Sequence, residues 1–168
     1  GGKPKTIAVP ASETLKEYVA TLVARAERIK DGQVKPQEDN MLAVTNDGRK
    51  AALDLRLMDP LAEDDPDSKV NACCQNVFDI WARTAGFRGT QLVFCDMSTP
   101  LADGRFSVYK DLKAKWIAKG IPAHEVEFIH DHESDSKKAK LFKAVREGKV
   151  RILLGSTQKM GIGTNVQT

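Results

Sequence analysis

Two adjacent hydroxyl side chains near the end of the chain are the first candidates for chemistry. Ser156 and Thr157 directly follow a short apolar run, and Gly161, Gly163 and Asn165 come a few residues later. Hydroxyls and backbone N–H groups are common ligands of phosphate oxygens, and a glycine lets a backbone approach a ligand closely. This combination predicts contacts with a phosphate or with a second domain.

The apolar run before these hydroxyls predicts that they lie at the edge of a sheet. Residues 150–154 suit a buried strand, which Gly155 ends. Ligands of open α/β sheets gather at the carboxyl ends of the strands. A plain strand-to-helix turn, in which glycines relieve strain and hydroxyls cap a helix, is the alternative that the pattern alone slightly favours.

Two well-known phosphate-binding signatures fit the chain poorly. A dinucleotide fingerprint that began at Gly161 would need its third glycine where Val166 stands. The phosphate-loop pattern Gly-x-x-x-x-Gly-Lys-Ser/Thr occurs nowhere in the sequence. The segment is therefore not expected to hold a triphosphate unaided.

Residues 156–166 read Ser-Thr-Gln-Lys-Met-Gly-Ile-Gly-Thr-Asn-Val and resemble motif V of superfamily 2 helicases, closest to the SWI/SNF-type translocases. The pattern of that family is Ser-Thr-x-x-x-Gly-x-Gly-x-Asn-Leu, and the spacing matches throughout, with Val166 in place of leucine. The resemblance implies that Ser156 and Thr157 bind the DNA backbone. It also implies that the other end of the motif faces ATP across a cleft between two lobes, through Gly161, Gly163 and Asn165.

A second segment resembles motif IV of the same family. Residues 91–96 form an apolar run with an abrupt polar end, like the first strand of the second helicase lobe. Ser98 and Thr99 follow and could offer hydroxyls to a DNA phosphate, although a plain loop fits equally well. Residues 48–57 are loosely similar to the segment that precedes this lobe in SWI/SNF-type proteins.

The order of predicted elements indicates an α/β protein. The expected strands are 5–9, 41–45, 91–96, 126–129 and 150–154; the expected helices are 13–29, 49–57, 68–85, 107–119 and 135–147, with a turn at 46–48. With the resemblance, this order predicts a three-layer, RecA-like (P-loop NTPase-type) parallel sheet flanked by helices. Residues 1–40 would be an N-terminal helical extension and linker, and residues 41–168 an incomplete second lobe.

Potential metal ligands are present but poorly arranged. His130 and His132 could bind zinc as a pair, but no convincing third ligand is near them in the sequence. The acidic run at 63–67 lacks the spacing and glycine of a calcium loop and reads as a solvated linker. Three cysteines, Cys73, Cys74 and Cys95, have no metal-ligand spacing and are typical of reduced intracellular thiols. No metal site is expected.

The composition is that of an ordinary globular protein. The chain has 168 residues, of which 41% are hydrophobic and 29% charged, and a formal net charge of +3. This charge neither requires nor opposes a nucleic-acid partner. No apolar run approaches membrane-spanning length and no signal peptide is visible, so a cytoplasmic location without a membrane partner is expected.

The resemblance implies a fragment of an ATP-dependent DNA helicase or translocase. Its partners would be DNA, bound through the backbone without sequence preference, and the first RecA-like lobe. ATP and Mg²⁺ would be cofactors of the longer parent, while this fragment alone would bind neither tightly and would not hydrolyse ATP. Two alternatives stay open. One is a degenerate, non-enzymatic interaction lobe, favoured by departures from the family at His132 and Ala139; the other is a Rossmann- or flavodoxin-type small-molecule enzyme.

Overall fold

The computed structural model describes residues 2–98 and 104–161 of the chain. These contain six α-helices, α1 (Glu13–Lys30), α2 (Met41–Leu53), α3 (Lys69–Arg83), α4 (Val108–Ala118), α5 (Asp135–Arg146) and α6 (Thr157–Gly161). They also contain three strands, β1 (Gln91–Phe94), β2 (Val126–Phe128) and β3 (Ile152–Gly155). None of these helices is long and apolar enough to cross a membrane.

The chain divides into two compact units, Gly1–Ala72 and Cys73–Thr168. The first unit contains α1 and α2, and the second contains the whole sheet with α4, α5 and α6. The domain boundary expected between residues 40 and 41 falls between α1 and α2, inside the first unit, and stays a prediction.

Helix α2 shows where the sequence reasoning was wrong. No strand forms at 5–9. The expected strand at 41–45, turn at 46–48 and first part of the helix expected at 49–57 are instead one helix, Met41–Leu53. An apolar run of five residues does not by itself distinguish a strand from a helix. Gly48, which suggested a turn, lies inside α2. A Cβ atom there would lie 3.4 Å from Cδ1 of Leu22 in α1, close to an ordinary van der Waals contact.

An arginine joins α1 to the start and the middle of α2. Arg25 donates two hydrogen bonds of 2.8 Å to the carboxylate of Asp39 and a third of 2.8 Å to Asp47. The hydrogen bonds from Arg25 lower the pKa of Asp39. Asp47 belongs to the Asn-Asp-Gly sequence that resembles a turn, so a long-range ion pair favours the helix there.

The sheet of the second unit is parallel, in the strand order β1-β3-β2. Its central strand, β3, is apolar and fully buried along Ile152, Leu153 and Leu154. Strands buried on both faces are typical of parallel sheets covered by helices. On one face, Leu153 packs in a cluster with Leu141 and Val145 of α5. The described residues thus confirm the α/β class and a small parallel sheet.

A buried charged cluster fixes the amino-terminal edge of this sheet. Arg151, which directly precedes β3, is 2% exposed and donates hydrogen bonds to the backbone of Trp81 and Gly89. Glu125, directly before β2, accepts hydrogen bonds of 2.7 Å from the Trp81 indole and from Arg88. Burial alone would raise the pKa of Glu125, but these hydrogen bonds and the charges of Arg88 and Arg151 outweigh it and lower the pKa.

Replacing this carboxylate should destabilise the protein. We expect Glu125→Gln to lower the free energy of unfolding by about 3 kcal/mol, because it leaves the buried Arg151 without its nearest counter-charge. Chemical denaturation at neutral pH measures this loss. Glu147→Gln, which removes an exposed carboxylate, is the matched control and should cost less than about 1 kcal/mol.

The same carboxylate predicts part of the acid sensitivity. Since the pKa of Glu125 is lower in the folded state than its ordinary value of 4.5, its stabilising effect is present above about pH 4.5. That effect is lost as the pH falls through the folded-state pKa. Unfolding free energies measured from pH 7 to pH 3 should therefore fall less steeply in Glu125→Gln than in the wild type. Parallel profiles would contradict this assignment.

Candidate functional site

Parallel pairing brings the ends of all three strands to one edge of the sheet. Asp96 follows β1, His130 follows β2, and Ser156 and Thr157 follow β3 directly. These residues line an open depression of about 650 Å³, together with Gln158 and Lys159. The expectation that the two hydroxyls lie at the carboxyl edge of a buried parallel strand is confirmed.

Thr157 is held by a carboxylate from the neighbouring strand end. One carboxylate oxygen of Asp96 accepts a hydrogen bond of 2.6 Å from the Thr157 amide, and the other accepts one of 2.9 Å from the Thr157 hydroxyl. A hydroxyl has only one proton to donate. Both donors of Thr157 are therefore used by Asp96, and an anion could take them only if Asp96 moved away.

Among the described residues, the Ser156 hydroxyl has no hydrogen-bond acceptor. Its hydroxyl oxygen accepts a hydrogen bond of 3.2 Å from the amide of Lys159, which stabilises the first turn of α6. The hydroxyl proton is not used in that bond and can be donated to a ligand. The residue is 9% exposed, so only a small part of it is accessible from the depression.

Ser98 serves as a cap in this structure. Its backbone has a positive φ of 60°, and its hydroxyl oxygen accepts a hydrogen bond of 2.9 Å from the amide of Val108 at the start of α4. It does not line the depression that contains Ser156 and Thr157. Thr99, the other hydroxyl expected at this edge, lies outside the described residues.

The glycines of the motif differ from the glycine that ends β3. At Gly155, a Cβ atom would overlap Cγ2 of Ile129 and lie 2.7 Å from Cγ of Met160, so a side chain does not fit. At Gly161, the last residue of α6, a Cβ atom would meet nothing within 4 Å. The fold thus needs Gly155 and leaves open space at Gly161. Gly163 and Asn165 lie outside the described residues.

His130 lines the depression in a partly buried position. Its ring packs edge-on against Tyr109, with the ring centroids 5.3 Å apart, and its Nδ1 atom is buried without a hydrogen-bond partner. Burial, assisted by the positive charge of Lys159, lowers the pKa of His130. Its imidazole is therefore expected to be neutral at pH 7.

The charged and imidazole side chains in and near the depression are already in contact with one another or lie apart. His132, the second histidine of the possible zinc pair, lies 3.1 Å from a carboxylate oxygen of Glu127. Within residues 2–98 and 104–161, no cluster of three or more histidine, cysteine or acidic side chains could hold a metal ion. Lys159 is the one lysine in the lining of the depression, and its Nζ lies 3.7 Å from a carboxylate oxygen of Glu133.

Asp96 is the residue of this site whose role the sequence reasoning missed. It was described only as the polar end of an apolar run, yet it bonds to a residue 61 positions away. Asp96 and Thr157 each stand at the second position after a strand, which is a usable signal. They can be paired only when the two strands are known to be neighbours.

Comparisons with protein-family models, curated proteins and solved structures find no match to this chain.

The two glycines predict opposite outcomes for the same substitution. Gly155→Ala should lower the free energy of unfolding by about 1–3 kcal/mol, because a methyl group would overlap the side chains of Ile129 and Met160. Gly161→Ala meets no such obstacle and should be neutral or slightly stabilising, since alanine has the higher helix propensity. Thermal or urea unfolding of both variants checks this, and equal losses would contradict it.

Proposed function

We propose that this chain is the second RecA-like lobe of an ATP-dependent DNA translocase of superfamily 2, closest to the SWI/SNF type. In this proposal, the parallel sheet and its helices are the core of a three-layer lobe. The chain completes an ATP site formed with a first lobe and contacts the DNA backbone. It would not hydrolyse ATP by itself, because the phosphate loop and the magnesium-binding carboxylates belong to the first lobe.

One observation carries the proposal: the ends of β1 and β3 lie side by side. These ends carry the segments similar to motifs IV and V, which the family uses at one edge of the lobe. The hydrogen bonds between Asp96 and Thr157 join them directly. If the two similarities were due to chance, the two segments would not be expected to lie in contact at the ligand-binding edge of a parallel sheet.

The strand order argues against the small-molecule alternative. A dinucleotide-binding fold has the spatial strand order 3-2-1-4-5-6, and a flavodoxin-like fold has the order 2-1-3-4-5. In both, whichever three adjacent strands of the sheet are taken, the middle strand is the first or the second of the three in sequence. Here the third strand lies in the middle. Furthermore, Gly161 is at the end of α6 and not in the turn directly after a strand.

The proposed DNA contact requires Asp96 to move away from Thr157. A phosphate oxygen can only accept hydrogen bonds, so it must replace the Asp96 carboxylate to bind the Thr157 amide and hydroxyl. The free hydroxyl proton of Ser156 and the charge of Lys159 would favour this exchange. In the two-lobe protein, closure of the cleft around Mg-ATP would supply the movement that separates Asp96 from Thr157.

The proposal is tested in a chain that carries both lobes. Thr157→Ala should leave basal ATP hydrolysis nearly unchanged and raise the DNA concentration needed for half-maximal stimulation roughly tenfold, since a hydrogen bond to a charged group is worth about 1.5–3 kcal/mol. Thr157→Ser, which keeps the hydroxyl, is the control and should resemble the wild type. The measurement is steady-state ATP hydrolysis with and without duplex DNA.

Two results would reject the proposal in different ways. Hydrolysis that DNA does not stimulate in the wild type would favour a non-enzymatic interaction lobe, the alternative suggested by His132 and Ala139. Stimulation that is equal in the wild type and in Thr157→Ala would retain the motor but remove Thr157 from the DNA contact.

Removing the competing carboxylate should strengthen DNA binding. Asp96→Asn keeps an oxygen that can accept a hydrogen bond from the Thr157 amide but removes a negative charge. The repulsion between that charge and a phosphate about 4 Å away in water is worth about 1 kcal/mol. We expect the affinity for a duplex to rise about fivefold in 0.1 M salt, measured by fluorescence anisotropy. Asp79→Asn, which removes an exposed charge on α3, should leave the affinity unchanged. Weaker binding by Asp96→Asn would show that the carboxylate only stabilises the turn.

A further inference from the structure

Strand β1 has a second edge that no strand of the described residues covers. The order β1-β3-β2 makes β1 an edge strand, paired only with β3. The amides of Gln91 and Cys95 donate hydrogen bonds of 2.8 and 2.9 Å to carbonyls beside and in β3, so the ladder extends over residues 91–95. Backbone groups alternate in direction along a strand. The N–H and C=O groups of Leu92 and Phe94 therefore point away from β3, toward the open edge.

The same two residues expose apolar side chains. Leu92 and Phe94 are 41% and 53% exposed, and they lie on one face of the sheet because they are two positions apart. In the three described strands, no other large apolar side chain is exposed. Charged residues and prolines are what usually prevent an edge strand from pairing with another chain. The strand from Gln91 to Phe94 contains neither.

The opposite edge of the sheet is protected. The backbone carbonyl of Val126 in β2 accepts a hydrogen bond of 2.9 Å from the ammonium of Lys113, a residue of α4. The side chains of Val126 and Phe128 are buried, and the Phe128 ring packs edge-on against Tyr109 of the same helix. A lysine and a helix over an edge strand hinder its pairing with another chain. The difference between the two edges makes β1 the place where the sheet can be extended.

The open edge of β1 is complementary to a second copy of itself. In an antiparallel pair, two opposite residues exchange both hydrogen bonds when the backbone groups of both point toward the partner. If Val93 of one chain lies opposite Val93 of the other, Leu92 lies opposite Phe94 in both halves. All the outward groups of both chains are then satisfied, and the exposed side chains form two Leu–Phe pairs. A shift by one residue would place groups that bind β3 opposite groups that point outward, and these bonds would be lost.

The charges around β1 favour the antiparallel arrangement. No charged residue lies between Thr90 and Cys95, so two copies of this stretch can approach without repulsion. Arg88 stands before the stretch and Asp96 after it, and both are exposed. Antiparallel pairing brings the arginine end of each chain beside the aspartate end of the other. Parallel pairing would place like charges together, which is destabilising.

We propose that two copies of this chain associate through β1, about a two-fold axis that passes near Val93, and form one continuous sheet with three strands from each copy. The contact is isologous, so both chains use the same surface. Since Lys113 protects β2 in each copy, the assembly stops at two chains. The inference depends on the edge of β1 and not on the proposed function, and its test needs neither ATP nor DNA.

The first test is the mass of the 168-residue chain by sedimentation equilibrium. A contact through one short strand buries little area, so we expect a dissociation constant on the order of 10 µM, measured from about 2 to 200 µM. The mass should rise with concentration from 18.5 kDa toward twice that value. Leu92→Lys, which places a lysine on the edge, should stay monomeric throughout. The matched control is Ile117→Lys on α4, whose side chain is equally exposed at 42%, and it should associate like the wild type.

A cross-linking experiment tests the register. Val93→Cys places two thiols opposite each other near the axis, where the Cα atoms of a non-hydrogen-bonded pair lie about 4.5 Å apart, within the range of a disulfide. In the control, Leu92→Cys, the two thiols are diagonal neighbours about 7–8 Å apart, too far for a bridge. Both variants keep the three natural cysteines. With oxidised glutathione as the oxidant, only Val93→Cys should give a covalent dimer that dithiothreitol reverses.

The other outcomes overturn the inference. A wild type that stays monomeric over the whole range would leave the edge of β1 to another strand of a longer chain. A mass that rises beyond two chains would indicate open aggregation, and dimers that persist in Leu92→Lys would place the contact on another surface. If Leu92→Lys shows no cooperative unfolding in urea, cross-linking decides alone. Equal cross-linking of Val93→Cys and Leu92→Cys would then reject the pairing.

Discussion

The second unit depends on the position of β3 between its two parallel neighbours. Each residue of β3 from Ile152 to Leu154 pairs with both β1 and β2, and its side chains are excluded from water on both faces. Parallel pairing then leaves no freedom in the direction of the strand ends. The polar residues that follow the three strands, Asp96, His130 and Ser156, must therefore meet at one edge.

The two ends of the central strand differ in whether their polar groups are already bonded within the fold. Arg151 before it is locked by Glu125, the Trp81 carbonyl and the Gly89 carbonyl, which leaves that end committed to stability. Ser156 after it retains an uncommitted proton and borders an open depression. A rigid attachment at one end gives the other end a defined position, which the proposed contact with a backbone phosphate would require.

Local patterns predicted most of the second unit and, in the first unit, helix α1 to within one residue, but they did not predict α2. Short apolar runs located β1, β2 and β3 to within two residues, because no competing helical pattern overlaps them. Residues 46–48 resemble a turn locally, whereas in the structure they lie inside α2, where Asp47 pairs with Arg25 of another helix. The Asp96–Thr157 and Arg151–Glu125 pairs were equally inaccessible, since each depends on which strands are neighbours, and a linear sequence does not state that.

The strand order also has a consequence for how the unit folds. The central strand is the last of the three in sequence, so β1 and β2 have no sheet partner among the described strands until β3 is present. During synthesis from the amino terminus, the sheet would begin to form only after residue 155 has left the ribosome. The pairing of β1 with β3 joins Gln91 to Ile152, about 60 positions apart in the sequence, and such non-local pairing is slow. Until then the backbone of β1 is unpaired, and an unpaired strand edge in an incomplete chain is prone to aggregation.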